Sequence, residues 1–234
     1  MTKTLLVIGG CGDIGQGVAH GAHAKGLQVI ATGRSAEKLA DLYEGSGIAT
    51  VVGDVGSAQA AAALWDAAQA PYGAIDAVVV SVNAPNAGKA LREFDADELA
   101  QVFADNVLTH FNACTTIIPQ LAAEGILIGI GGGTADFILA KMAQLSMMQA
   151  AQRMLYRGLA KETRGGPQIR ELMLISMING ARKRDLAEPH WVLDTEVGDH
   201  ICAIIADPAA FPGPILRLES REQVGRPEAA KAPA

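Results

Sequence analysis

The opening of the chain restricts the fold more than any other stretch. An apolar strand ending at Ile8 runs straight into Gly9-Gly10-Cys11-Gly12-Asp13-Ile14-Gly15 and then into an amphipathic helix. A strand, then Gly10-x-Gly12-x-x-Gly15, then a helix is the pattern of a dinucleotide-binding turn. Glycines there permit the tight reversal, let the backbone approach a pyrophosphate, and allow the helix to pack closely on the sheet. The unpaired N–H groups and the dipole at the helix start attract the phosphate charge. Asp13 runs against that design, because a carboxylate beside a phosphate repels it unless the side chain points to solvent.

Downstream, short aliphatic runs alternate with longer Ala-rich stretches, as expected of a parallel sheet covered by helices on both faces. Strands are expected near 4–8, 27–32, 48–52, 75–81, 126–130, 169–175 and 214–218, with helices at 14–25, 35–43, 57–70, 96–123, 137–163 and 194–206. The runs Ile75 to Val80 and Ile126 to Ile130 carry almost no polar residues, which marks central strands buried on both faces. The expected fold is a single-domain α/β, Rossmann-type doubly wound parallel sheet of about seven strands. It spans 1–218, and the polar stretch 219–234 reads as a flexible tail.

Composition narrows the partners. With 234 residues and 50% hydrophobic content the chain can bury one substantial core without metal or disulfides. A net charge of −6 argues against nucleic acid or an anionic membrane surface, and no apolar run approaches the ~20 residues of a membrane span. Small molecules are the expected partners. Cys11, Cys114 and Cys202 form no CxxC pair, which fits a reducing cytoplasm. HExxH, GxSxG and a Walker A lysine are all missing, so no metal or hydrolase site is expected.

After the second strand, Thr32-Gly33-Arg34-Ser35 places Arg34 where an acidic residue would hold the ribose hydroxyls of NAD. A guanidinium there suits a 2′-phosphate, which points to NADP(H) as cofactor; a solvated Arg at a helix start is the plain alternative. Asp54 in Gly53-Asp54-Val55 is placed either to accept from the adenine amino group or to cap the next helix.

Over residues 3 to about 218 these features resemble the short-chain dehydrogenase/reductase family. The spacing Gly9-x-x-Gly12-x-x-Gly15 is similar to that of its extended and atypical branches, and Asp54-Val55 is similar to its adenine-contacting pair. Val82-Asn83-Ala84-Pro85 resembles its Asn-Asn-Ala-Gly turn after the fourth strand. Asn106, in Asp105-Asn106-Val107, matches its helix asparagine that supports a bound water and a proton relay. The resemblance implies a nicotinamide cofactor held by residues 9–15, Arg34, Asp54, Val55, Asn83 and Ala84. It also implies a homodimer or homotetramer formed through helices 96–123 and 137–163.

The same resemblance exposes a gap. Arg157-Gly158-Leu159-Ala160-Lys161-Glu162 resembles the family's Arg-Ala-Leu-Ala-x-Glu, and counting back places the expected Tyr at Leu145, the Lys at Gln149 and the Ser at or beside Gly132. Ser176-Met177 stands where Pro-Gly is expected. Losing a positioned acid costs about 10²–10⁴ in rate, or roughly 3–5 kcal/mol. The candidate catalytic residues are therefore substitutes. Lys141 is expected one helical turn before Leu145. Thr134 is a carbonyl donor in place of Ser, or a loop cap. Asn106 is followed on the same face by His110, which reads as a relay or as a satisfied core histidine. Asp136 is expected to cap the helix beginning near Phe137, Ser146 to bond its own helix, and Tyr156 to pack. The resulting reading is an atypical NADP(H)-binding oxidoreductase that reduces an activated double bond or carbonyl without a Tyr-Lys pair. The alternative is a nucleotide-binding pseudoenzyme, a sensor, assembly partner or inactive subunit without redox turnover.

Overall fold

In the computed structural model, which describes residues 2–85 and 87–227, β1 (Thr4–Ile8) is buried along its whole length and lies at the centre of the sheet. Its side chains alternate between two apolar clusters: Leu5 and Val7 on one face, Leu6 and Ile8 on the other. A strand with two buried faces favours apolar side chains on both, which is why Leu5 to Ile8 show no polar alternation.

Around β1 the chain lays down β2 (Gln28–Gly33), β3 (Ala49–Val52), β4 (Ala77–Val80), β5 (Ile126–Gly132), β6 (Gln168–Leu174) and β9 (Ile215–Leu218). All pair in parallel, as the alternating sequence pattern led us to expect, and their order is β3-β2-β1-β4-β5-β6-β9. The order reverses between β1 and β4, which opens a crevice at the carboxyl ends of the strands. Two-residue strands β7 (Ile178–Asn179) and β8 (Val192–Leu193) pair separately and brace the excursion between β6 and the helix that follows. They are too short to announce themselves in the sequence.

Helices α1 (Asp13–Ala24), α2 (Ala36–Tyr43) and α7 (Asp194–Ala206) cover one face. On α1, a methyl at Gly17 or Gly21 would overlap the backbone of Asp194 or Thr195, so these glycines let α1 and α7 cross in close contact. Helix α3 (Ala58–Ala68), α5 (Thr109–Ile117) and α6 (Ala143–Glu162) cover the other face.

Two helices depart from expectation. The continuous helix expected over 96–123 is instead α4 (Ala96–Phe103), a π-turn over Ala104–Leu108, and α5 (Thr109–Ile117), ending near Pro119. Asn106 lies in the π-turn and donates from Nδ2 to the Val102 carbonyl at 2.8 Å, competing with the backbone ladder. The helix expected from Phe137 begins only at Ala143. Before it, Lys141 adopts a left-handed φ of 62°, incompatible with a helical turn, and Met142 N–H closes a turn on the Leu139 carbonyl.

After β9, the described part of the polar stretch, residues 219–227, makes contacts with α7. The Arg221 guanidinium pairs with Glu196 at 2.8 Å, and Gly225 N–H donates to His200 Nδ1 at 3.1 Å. The remainder of that stretch, 228–234, lies outside the described residues. No helix among the described residues is long and apolar enough to cross a membrane.

Candidate functional site

The glycine turn is shaped by close approach. Gly9 has a φ of 87°, and a methyl there would run into the Ser81 carbonyl at the end of β4. Gly10 N–H donates to the Thr32 carbonyl at 2.7 Å, and Gly12 N–H to the Gly9 carbonyl at 3.0 Å. From α2, the buried Tyr43 hydroxyl donates to the Gly10 carbonyl at 2.6 Å and fastens the turn from behind. Tyr43 was not among the sequence candidates, because its role depends on a partner 33 positions away. Ile14 packs against the core. Burial pushes the Cys11 thiol upward, opposed by Lys38, so the turn holds a thiol and not the thiolate a helix start can favour.

Asp13 does not point to solvent. Its side chain is 24% exposed and accepts from Arg182 N–H, with both oxygens at 3.3 Å, while Arg182 Nε lies 3.9 Å away. The carboxylate thus joins the first turn of α1 to the excursion after β6.

Around the crevice, Arg34 is exposed directly after β2, where Ser35 caps α2 through Lys38 N–H. Asp54 is not the cap of α3. That place belongs to Ser57, which accepts from Ala60 N–H at 3.1 Å, while Asp54 Oδ1 accepts from Gly56 N–H at 2.8 Å in a local turn. Val55 is buried and Asn83 exposed. Ala84 N–H donates to Asn106 Oδ1 at 3.0 Å, which ties the loop after β4 to the π-turn, while the Nδ2 end of the amide is held by its own helix at Val102.

His110, four residues on, holds the same loop. Its Nε2 lies 2.9 Å from the Val82 carbonyl, which can only accept, so Nε2 carries the proton and Nδ1 accepts from the Tyr156 hydroxyl at 2.9 Å. Burial pushes the His110 pKa down to about 4, leaving a neutral ring, as the core reading of this residue expected. Tyr156 is fully buried and also receives the Cys114 thiol.

Under α6, the residues Gln149, Gln152 and Tyr156 share one face and lie over the glycines of β5. A methyl at Gly129 would overlap the Tyr156 ring; one at Gly131 would fall 2.6 Å from Glu171 Oε1; one at Gly132 would fall 2.7 Å from Gln149 Nε2. The missing side chains of β5 make room for these larger polar groups. Gln152 Nε2 donates to the Ile130 carbonyl and to Glu171 Oε1, each at 2.9 Å. Thr134, in the turn after β5, donates its hydroxyl to Gln149 Oε1. Leu145 lies one helical turn before Gln149 and is half-buried.

Three expectations on the approach to α6 are corrected. Lys141 is not on the helix; it is exposed in the left-handed turn that precedes it. Asp136 is not a helix cap, because the Arg153 and Arg217 guanidiniums bind its two oxygens and hold its carboxyl below the usual range. Ser146 bonds outside its own helix, donating to the Phe137 carbonyl at 3.0 Å. Along this segment Phe137, Ile138 and Leu139 are exposed, and Met177 and Leu186 of the excursion after β6 are exposed as well. The two loops meet at Gly133, beside which both Phe137 and Ile175 pack.

Among the described residues no group of three or more His, Cys, Asp or Glu is placed to hold a metal ion. Comparison with solved structures places the fold. The chain is similar to a mutant short-chain dehydrogenase/reductase of Serratia marcescens, with a TM-score of 0.80, 19% identity, and 94% of this chain and 97% of that one covered. It is also similar to a short-chain dehydrogenase of Streptomyces avermitilis, with a TM-score of 0.78, 21% identity, and 93% and 88% covered. In sequence it is 30% identical over 128 residues to a 3beta-hydroxysteroid dehydrogenase of Mediterraneibacter gnavus, covering 53% of this chain and 46% of that relative, so the match spans about half of each. Residues 3–170 match the short chain dehydrogenase family. With that match covering most of the sheet and its glycine turn, the chain belongs to the short-chain dehydrogenase/reductase family of oxidoreductases, which bind nicotinamide cofactors.

Proposed function

We propose that this protein is an NADP(H)-dependent reductase of apolar substrates that works without the Tyr-Lys pair. The observation that carries the reading is Gln149 lying against Gly132 at the end of β5, held there by Thr134. An amide and a hydroxyl orient a substrate oxygen by hydrogen bonds, but neither yields a proton near neutral pH. Because the Thr134 hydroxyl is spent on Gln149 Oε1, the Gln149 Nε2 hydrogens are the donors that face a substrate, and Thr134 positions them.

The glycine turn fits a dinucleotide: a side chain at Gly9 or Gly15 would collide with the Ser81 or Gly9 carbonyl, so these glycines permit the tight turn that such a ligand needs, while Asp13 opposes an anion there. Residues 9–15 and Ala84 would hold it, with Asp54 and Val55 toward the adenine, Asn83 toward the nicotinamide, and Arg34 at a 2′-phosphate. Bound nicotinamide supplies the reducing equivalent. Asn106 and His110 keep the loop after β4 in place through Ala84 and Val82. With no titrating acid at Leu145, the proton comes from water, which suits an activated double bond better than a simple ketone.

The exposed Phe137, Ile138, Leu139, Met177 and Leu186 support an apolar substrate, a class to which the steroid named for the Mediterraneibacter relative belongs. Exposed Phe103, Phe111, Met147 and Met154 on α4, α5 and α6 support a homodimer or homotetramer, and three free cysteines a cytoplasmic setting. The second reading, a pseudoenzyme, draws support from the Asp13 carboxylate in the glycine turn.

The test measures NADPH and NADH affinity, then NADPH consumption with enones, quinones and ketones. Enone or quinone turnover with NADPH preferred is the expected result; tight binding without turnover of any of them favours the pseudoenzyme. Leu145→Tyr with Gln149→Lys is expected to gain ketone reduction, and no gain would count against the assigned register.

A further inference from the structure

The carboxylate that should repel a phosphate has been given a partner from a distant segment. Asp13 opens the twelve-residue helix α1, where the dipole and unpaired N–H groups favour a negative charge. Gly12 before it supplies no side-chain cap. The excursion after β6 then comes to this carboxylate: Arg182 N–H reaches both oxygens, Arg182 Nε lies 3.9 Å away, and a methyl on Gly180 would fall 3.1 Å from Oδ2. Gly180 and Arg182 both meet Asp13, so the contact is made by the course of the backbone and does not depend on one flexible side chain. The excursion is held at its two ends by the β7–β8 pair, which keeps the 3₁₀ segment Ala181–Leu186 close to the glycine turn.

We propose that Asp13 sets how tightly this crevice takes a dinucleotide. Its carboxylate stands at the first position of α1 and clamps residues 180–182 beside the turn, so that a pyrophosphate must approach this charge and shift the segment. The proposal rests on the nucleotide reading above. Two like charges a few ångström apart in a partly buried setting repel strongly, whereas Asn keeps the shape and an acceptor oxygen without the charge. Removing the charge therefore favours the nucleotide, and the benefit falls as salt screens the repulsion.

The experiment titrates NADPH into wild type, Asp13→Asn and Asp13→Gly by the fluorescence of the bound cofactor. In parallel it follows hydrogen exchange of the Arg182 amide without nucleotide. Asp13→Asn is expected to bind NADPH about tenfold tighter or more, equivalent to about 1.4 kcal/mol, with a smaller gap at high salt. Asp13→Gly is expected to speed exchange at Arg182. If wild type binds NADPH and neither variant binds it tighter, the clamp is wrong and the nucleotide site stands. Unchanged protection of Arg182 in Asp13→Gly also overturns the clamp. If all three proteins are folded and none binds NADPH, the nucleotide reading fails and this proposal falls with it.

Discussion

Glu171 offers a stringent test of how the core is built. It lies on β6 with 1% of its surface exposed; Gln152 donates to Oε1, and Oε2 has no hydrogen-bond partner among the described residues. Burial raises its pKa from 4.5 to about 7, against the opposing pull of Gln152 and Arg153. The folded protein therefore binds this proton more tightly than the unfolded chain does. The stabilisation is fully present below pH 4.5, declines as pH rises, and is lost above about pH 7. At 1.36 kcal/mol per pH unit, the interval corresponds to about 3 kcal/mol. Glu171→Gln stays neutral at every pH and still accepts from Gln152. Relative to wild type, it should therefore gain about 3 kcal/mol between pH 4.5 and pH 8, or roughly 6–12 °C in midpoint for a chain of this length. Other titrating groups, including the buried His110 and His200, are common to both proteins and cancel in the comparison. Urea unfolding followed by the buried Trp65 at both pH values measures the difference. A stability difference that does not change with pH would refute the assignment of a buried, proton-holding carboxyl at this position.

Two further substitutions probe the site. Tyr156→Phe leaves His110 Nδ1 without its donor inside the core and should cost about 1–3 kcal/mol in urea unfolding, with faster amide exchange over residues 82–84; unchanged stability would show that the chain from Cys114 to Val82 contributes nothing. Arg34→Ala should weaken NADPH binding by about tenfold while leaving NADH unaffected, and equal losses for both nucleotides would remove Arg34 from the 2′-phosphate.

Much of the architecture was legible because it rests on local pattern. Apolar runs such as Leu5–Ile8 and Ile126–Ile130 need two buried faces, and only a parallel sheet between helix layers supplies them. The glycine turn was equally readable, since its spacing sets the local reversal from Gly9 to Gly12, while the Thr32 and Ser81 carbonyls it meets are brought there by the sheet. Helix starts were less so. The Ala- and Met-rich composition of 137–163 suits a helix throughout, yet Lys141 breaks it and Ser146 bonds back to Phe137. The continuous pattern of 96–123 likewise conceals the π-turn at Asn106, whose side chain bonds Ala84 as well as its own helix.

Sequence alone determined the family, the parallel sheet and the glycine turn, because periodicity, strand length and turn chemistry are properties of neighbouring residues. Tertiary structure decided where the polar groups look. Asp13 finds an amide 169 positions away, His110 a hydroxyl 46 positions away, and Gln149 a hydroxyl across the end of β5. Hydrogen-bond partners like these leave no periodic trace, since they are chosen by which strand ends the folded sheet brings together.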